Sequence, residues 1–577
     1  MGYYLNSTAA FSLYESESKK PYFVDKTEML RELIPLVEEG NNHICITRPR
    51  RFGKSIMAAM VASFFGKGVD SDPIFASLNI ANLASGNSDE KSGAGKEFDY
   101  RKYMNQYHVI YINFIKPSSL SSSYEDFIKR IERRLTKDLH REFPDVDFLE
   151  DDSPLEDLSV IYEETGEKFI LVFDEWDCIF HKDYITNDDR KKYINWLAAL
   201  TKDTGYVALT YMTGVLPIAK YSSGSTINNF LEYTMAVQPK YSEYFGFSDS
   251  EVDMLYSRYL KNEKKPVVTR EDLRFWYDGY CTAGGTRMYN PRSVVLALTN
   301  NCLASYWTTT GPYSETSRYI VNDVDGVKKD VALMVSGEAV VSKVEEFAAT
   351  AMHLSTKDEI FSAMVVYGFL NYEDGKVRIP NKELMDEFVK TIRTQKNLGY
   401  INRLAVESDR MLQATLKGDT KTMEEVLQFA HNLSLVPQGT EDAGRTIAQS
   451  AILHGAALPY TETPLLDYNN ETELTAIVNL VYLAARDSYY VERENKAGIG
   501  YVDFIFYPER PGDDGIILEL KVDDTPEAAI QQIRDRKYVL KFRGRMAETK
   551  RHTGRILMLG IGYSKKNKDH HCKVEIV

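Results

Sequence analysis

The chain has 577 residues, 43% hydrophobic and 27% charged, enough for about three domains of ordinary soluble composition. Its net charge of −14 excludes a surface coated throughout for nucleic acid, and no apolar run approaches the roughly 18 residues of a membrane span. Cys45, Cys178, Cys281, Cys302 and Cys572 are scattered without a CxxC pair, and Met1–Leu5 has neither a basic start nor an apolar core, so reduced thiols and a cytoplasmic location are expected.

The first informative elements are an apolar strand at Asn42–Thr47, a loop Arg48-Pro49-Arg50-Arg51-Phe52-Gly53, and an apolar helix opening at Lys54-Ser55. Gly-Lys-Ser at a strand-to-helix junction is the end of a P-loop, where backbone N–H groups and the helix N-terminus hold phosphates. Lys54 is expected on the β/γ oxygens of ATP and the Ser55 hydroxyl on Mg²⁺. A plain helix start would also explain the tripeptide, and Arg48 stands where the first P-loop glycine usually is. Arg48, Arg50 and Arg51 are further candidates for phosphate contacts.

Next, His108–Phe114 is parallel-sheet material. The strand Phe169–Phe173 ends in Asp174-Glu175, a Walker B pattern. Asp174 is expected in the Mg²⁺ shell and Glu175 on the water attacking the γ-phosphate. Val207–Tyr211 runs on to Thr213, a candidate γ-phosphate sensor, although threonine at a strand end also serves turns. Residues 1–240 thus predict a P-loop NTPase core. Residues 241–390 read as a helical lid or winged-helix-like region with a small β element at Val377–Pro380, and 391–460 as a helical connector broken near Pro437–Gly444.

Residues 461–577 carry a second constellation. A helix from Asn470 has acids in its first turn, Glu471 and Glu473. Two strand-like runs follow, one with Asp503 and one reading Ile516-Ile517-Leu518-Glu519-Leu520-Lys521. Glu519 and Lys521 are two apart and project to one face, and pairing through Pro508–Gly515 brings Asp503 to them. Two carboxylates beside an ammonium suit a hard divalent cation, Mg²⁺ or Mn²⁺, and phosphodiester hydrolysis. Glu-x-Lys also occurs at Glu17–Lys19 and Glu263–Lys265, where a solvated charge pair suffices. The apolar strands set Asp503 and Glu519 apart, because an unpaired buried carboxylate is costly. The helix from Pro526 adds Gln532. Its surroundings are rich in cations: Arg534, Arg536, Lys537, Lys541, Arg543, Arg545, Lys550, Arg551, Arg555, Lys565, Lys566, Lys568 and Lys573, with Tyr538, Phe542 and Tyr563 interleaved. They predict a rim for a nucleic-acid backbone, with a solubilising helix end as the plainer alternative.

On these motifs, residues 470–577 resemble the PD-(D/E)XK nuclease superfamily, in the bacterial group fused behind an AAA-like ATPase domain. The shared features are the helix acid, Gly498–Asp503, Ile516–Lys521 and Ala528–Tyr538. The resemblance implies a restriction-endonuclease-like α/β domain with Asp503 and Glu519 as metal ligands. It implies Lys521 on the attacking water, Gln532 orienting the core, and Glu471 as the helix acid, with Glu473 the alternative. Tyr501 and Val502 stand where members often carry arginine. Residues 10–390 resemble the AAA-ATPase-like family that precedes this nuclease, through Tyr22–Thr27, Arg48–Ser55, Phe173–Asp177, Thr213–Val215, Phe245–Glu251, Trp276–Tyr280, Tyr289–Pro291 and Tyr306-Trp307. Arg48 is a feature of that family.

The expected protein binds and hydrolyses ATP and cuts nucleic acid with Mg²⁺. DNA is the first expectation, and RNA offers the same chemistry. ATP-driven closure, or assembly of several copies, would gate cleavage. Two other readings stand beside it: a nucleotide switch that binds DNA or protein without cutting, and a motor whose C-terminal domain only grips DNA.

Overall fold

The computed structural model describes residues 2–82, 99–149, 151–218, 227–307 except 237, 319–345 except 321, 354–434 except 396, 397 and 399, 471–492, 503–539 except 511, 552 and 554–577. In the N-terminal half the apolar runs are β1 (Asn42–Thr47), β2 (His108–Asn113), β3 (Phe169–Asp174), β4 (Val207–Gly214) and β5 (Leu231–Tyr233). They form one parallel sheet in the order β2-β3-β4-β1-β5. β3 and β4 are buried at every residue, as expected of central parallel strands covered on both faces. Register sets Asn113, Asp174, Thr213 and Ile46 side by side at the C-terminal edge, where open parallel sheets bind ligands. The helix Lys54–Phe65 starts from that edge and is buried almost all round, which explains why it lacks a polar stripe.

The middle region holds the helices Asp249–Asn262, Arg270–Tyr277, Pro291–Asn300, Val327–Val335, Lys357–Tyr367 and Lys382–Thr394. Reciprocal caps Ser248/Glu251, Thr269/Asp272 and Thr356/Glu359 fix three of their starts. Between them lie a hairpin, β6 (Tyr280–Cys281) with β7 (Arg287–Met288), and three short strands, β8 (Val340–Val341), β9 (Asn371–Glu373) and β10 (Lys376–Arg378). β10 is the expected element at Val377, paired antiparallel with β8 and β9.

The C-terminal sheet runs in sequence order: β11 (Tyr489–Glu492), β12 (Phe504–Pro508), β13 (Gly515–Val522), β14 (Ile556–Ser564) and β15 (Asp569–Ile576). β13 and β14 are parallel, and the helix Pro526–Asp535 lies in the crossover between them. Within 391–460, expected as a helical connector, the helices Tyr400–Lys417 and Thr420–Ser434 cover this domain. Leu404, Met411, Met423, Val426 and Leu427 are fully buried. Thr415 bonds Tyr482 at 2.7 Å, and Glu424 accepts the Cys572 N–H at 2.9 Å. Amphipathic helices need a surface to cover, and here it is β15 and the helix Glu471–Val481. Pro437–Gly444 lies outside the described residues.

The helix Pro526–Asp535 can sit close on β14 because Gly560 has no side chain: a Cβ there would meet the Pro526 carbonyl oxygen at 2.2 Å. Gly560→Ala is expected to lift the helix and destabilise this domain by about 1–3 kcal/mol. Urea unfolding measures this, and an unchanged midpoint would show that the helix does not depend on that approach.

Candidate functional site

Two sites are built on the two sheets. At the N-terminal one, Gly53 caps the helix in the left-handed region (φ 93°), and Arg51 (φ 71°) and Glu175 (φ 56°) share that conformation. Side-chain-bearing residues seldom adopt it, and functional loops are where it concentrates. Lys54 is only 3% exposed. Its ammonium donates to the carbonyls of Arg48 and Pro49 at 3.1 and 3.2 Å and lies 3.8 Å from Glu175. Asp174 accepts Asn113 Nδ2 at 2.6 Å, and Ser55 is close enough to lower its pKa. Its Oδ1 and the buried Thr213 hydroxyl have no hydrogen-bond partner. Burial, then the Glu175 charge, push the Asp174 carboxyl up to about 7. A buried carboxylate oxygen without a partner, beside a hydroxyl, is a donor set that fits the Mg²⁺ of a bound nucleotide.

A cavity of ≈ 480 Å³ opens over Gly53, Lys54 and Ser55, walled by Phe23, Tyr244 and Phe247. Arg292, from the first turn of the helix Pro291–Asn300, also faces it. Polar and cationic side chains together with aromatic rings suit phosphates and a base. A second cavity of ≈ 370 Å³, beside Glu175, is lined by Arg50, Arg51, His181 and Lys182.

Arg48 needs correction as a phosphate contact. Its side chain is buried, and its guanidinium donates to the carbonyls of Thr47 and Tyr233 at 2.7 and 2.8 Å while lying over the Phe245 ring. It braces β1 against β5, and what it turns toward Lys54 is its carbonyl oxygen. Phe52 is likewise internal, edge-on to Tyr280 at 5.0 Å. Three residues were missed. Asn113 was legible as the end of a parallel strand in register with Asp174. Asp177 accepts the N–H groups of Val215 and Leu216 at 3.0 and 2.7 Å, fixing the loop after β4. Arg292 lies too far along the chain for local patterning to bring it in.

At the C-terminal site, Phe504 pairs with Leu518, so the antiparallel register carries Asp503 opposite Glu519. Asp503 Oδ2 accepts the Leu520 N–H at 2.6 Å. Glu519 is 3% exposed, and Lys521 Nζ lies 3.4 Å from its Oε1. Gln532 bridges the pair, donating to Glu519 and accepting from Lys521 at 2.5 Å. Glu519 Oε2 has no hydrogen-bond partner. The side chains of Glu471 and Glu473 lie outside the description, although Glu471 opens the helix Glu471–Val481. Among the described residues no group of three or more His, Cys, Asp or Glu converges, and Asp503 and Glu519 are the two candidate ligands in view. Their oxygens fit a hard cation that keeps several waters.

Burial, then the Asp503 charge, push Glu519 up to about 8. A cation binding there would have to displace its proton below that pH. Apparent Mg²⁺ affinity is expected to rise about tenfold per pH unit up to about 8 and then level off. Mg²⁺ titrations followed by melting temperature at pH 6.5, 7.5 and 8.5 check this, and a pH-independent midpoint would refute it.

The expected basic rim is only partly free. Arg534 pairs with Glu575, Arg555 with Asp514 at 2.6 Å, and Lys573 with Glu527 at 3.5 Å. Lys565, Lys566 and Lys568 are exposed on the β14–β15 turn. Lys541, Phe542, Arg543, Arg545, Lys550 and Arg551 lie outside the described residues. Among the described residues no helix is long and apolar enough to cross a membrane.

Residues 11–223 match the family described as predicted AAA-ATPase, and residues 470–566 match the PD-(D/E)XK nuclease superfamily. An uncharacterized protein in the vnfD 5′ region of Azotobacter chroococcum mcd 1 is 24% identical over 297 residues, 50% of this chain and 51% of that protein. The chain thus spans about half the length of the curated relative it matches. A Walker-type ATPase of Pyrococcus abyssi is similar at 12% identity and TM-score 0.34, over 63% of this chain and 95% of its own. The ORC2 protein of Aeropyrum pernix is similar at 11% identity and TM-score 0.30, over 67% and 95%.

Proposed function

We propose, from a chain that joins a predicted AAA-ATPase domain to a PD-(D/E)XK nuclease superfamily domain, that the protein hydrolyses ATP and cuts phosphodiester bonds in DNA under nucleotide control. The observation that carries the nuclease half is the convergence of Asp503, Glu519, Lys521 and Gln532, with Glu519 Oε2 buried and without a partner. A divalent cation bound there would polarise a phosphate oxygen and lower the pKa of water. Asp503 and Glu519 would hold it. Lys521, fixed by Gln532, would orient the attacking water and steady the charge that develops on phosphate. In the ATPase half, Lys54 would exchange two carbonyls for β/γ oxygens, Ser55 and Asp174 would hold the nucleotide's cation, and Glu175 would hold water for γ-phosphate attack.

The test is cleavage of linear, circular and single-stranded DNA, with an RNA control, in Mg²⁺ with and without ATP. Metal-dependent cutting that responds to ATP supports the proposal. ATP turnover without cutting of any substrate would replace it with the switch.

A further inference from the structure

The residues that stand in place of a glycine-rich P-loop are gripped by the middle region. Pro49 lies against Gly368, which ends the helix Lys357–Tyr367. The Arg50 carbonyl accepts Trp307 Nε1 at 3.3 Å, and the Arg51 guanidinium donates to the Tyr306 carbonyl. Tyr306 and Trp307 form a short strap whose two N–H groups both donate to Glu383 Oε1 at 2.5 Å. Ser293, from the helix that carries Arg292, donates to the other Glu383 oxygen at 2.9 Å. Glu383 is 1% exposed, so these donors are what its carboxyl has in place of water.

Glu383 sits in the first turn of the helix Lys382–Thr394, whose 13 residues span about 20 Å. That helix also reaches the C-terminal domain. Lys382 Nζ donates to the Arg486 carbonyl at 3.3 Å, and Arg393 pairs with Asp487 at 2.7 Å. The two side chains are 11 residues apart, about three turns, and so share one face. Arg486 and Asp487 end the turn Leu483–Asp487, between the helix of Glu471 and β11, and β11 pairs with the strand that Asp503 precedes. One rigid helix therefore touches both the P-loop strap and the frame of the nuclease site.

We infer that Trp307 and Glu383 are positioning residues: the strap they form sets the P-loop backbone at Arg50–Arg51 and carries nucleotide occupancy through the helix Lys382–Thr394 to the turn Leu483–Asp487. The inference rests on the nucleotide reading of the ≈ 480 Å³ cavity. Its physical basis is competition. Arg51 lines that cavity, and a polyphosphate is a stronger, charge-assisted acceptor for its guanidinium than the Tyr306 carbonyl. Drawing Arg51 away releases one tie of the strap, and a ligand shifts an equilibrium only through such differential contacts.

Hydrogen exchange on the full chain tests this, with the imido analogue of ATP and Mg²⁺ as the probe. In the unsubstituted chain nucleotide is expected to change exchange at 48–57 and, by about threefold or more, at 479–492. Trp307→Phe keeps an aromatic ring but no N–H donor, and Glu383→Ala removes the anchor. Both should still bind nucleotide and keep the change at 48–57 while losing that at 479–492. Glu383→Gln, which still offers an oxygen to both strap N–H groups, should restore it; a purely structural role would not separate the two segments. A chain that binds nucleotide but shows no change at 479–492 overturns the inference alone, as does unaltered transmission in Trp307→Phe. A chain that binds no nucleotide overturns the nucleotide reading and the inference with it.

Discussion

Glu519→Ala is expected to lower metal-dependent cleavage by roughly 10²–10³-fold or more, with the melting temperature of the metal-free protein little changed. Glu519 is almost wholly buried, its Oε2 has no partner, and Asp503 stands opposite in the register. Such a carboxyl contributes little to folding: its charged form is disfavoured, and its neutral form leaves a polar atom unsatisfied. Truncation opens a small void but also removes that penalty. Gln532 and Lys521 keep their contact with each other when the shared acceptor goes. Stability and activity should therefore separate, as they do where a site holds a group that function needs and folding does not. Mg²⁺ should raise the melting temperature of the unsubstituted chain by binding the folded state, and leave that of Glu519→Ala unmoved. Melting curves with and without Mg²⁺, beside a cleavage assay, measure both. Cutting retained in Glu519→Ala would move the metal site elsewhere, and loss of fold together with cutting would make Glu519 structural.

What could be read in advance was local. The strand, loop and helix over 42–65 announce themselves through an apolar run and Gly-Lys-Ser, and Asp174-Glu175 through its place at the end of a buried strand. Pairing of β12 with β13 followed from the short turn between them, which leaves an antiparallel hairpin as the simple solution. Arg48 could not be read that way. A cation in a phosphate loop looks like a phosphate ligand until the carbonyl of Tyr233, 185 residues away, is seen to accept from it. The helices at 400–434 show apolar faces in sequence, yet the strand they cover starts at Asp569. The basic tail was legible only in part for a related reason. Composition counts Arg534, Arg555 and Lys573 as cations, and the fold sets Glu575, Asp514 and Glu527 beside them. Long-range partners decide each of these cases, and no local pattern encodes them.

Lys54→Ala is expected to lower ATP turnover by roughly 10²-fold or more. Its consequences differ from those at Glu519 because Lys54 also serves the fold. The ammonium bolts the loop through two carbonyl oxygens and lies 3.8 Å from Glu175. Without it those carbonyls lose a buried donor, at about 1–3 kcal/mol for an unsatisfied group. The Asp174 carboxyl, which Lys54 helps to hold down against burial and the Glu175 charge, should rise above its present value of about 7. The variant should thus lose both the phosphate ligand and the ionised Asp174 that a nucleotide-bound cation needs. Lys54→Arg keeps the charge, but its planar fork cannot reproduce a compact ammonium, and it should remain impaired. Turnover assays and nucleotide-binding titrations on both variants, beside DNA cleavage with and without ATP, decide the coupling. If nucleotide governs the nuclease, Lys54→Ala cuts at one rate whether or not ATP is present, while Glu519→Ala still turns over ATP. Unimpaired turnover in Lys54→Ala would remove the nucleotide from this loop altogether.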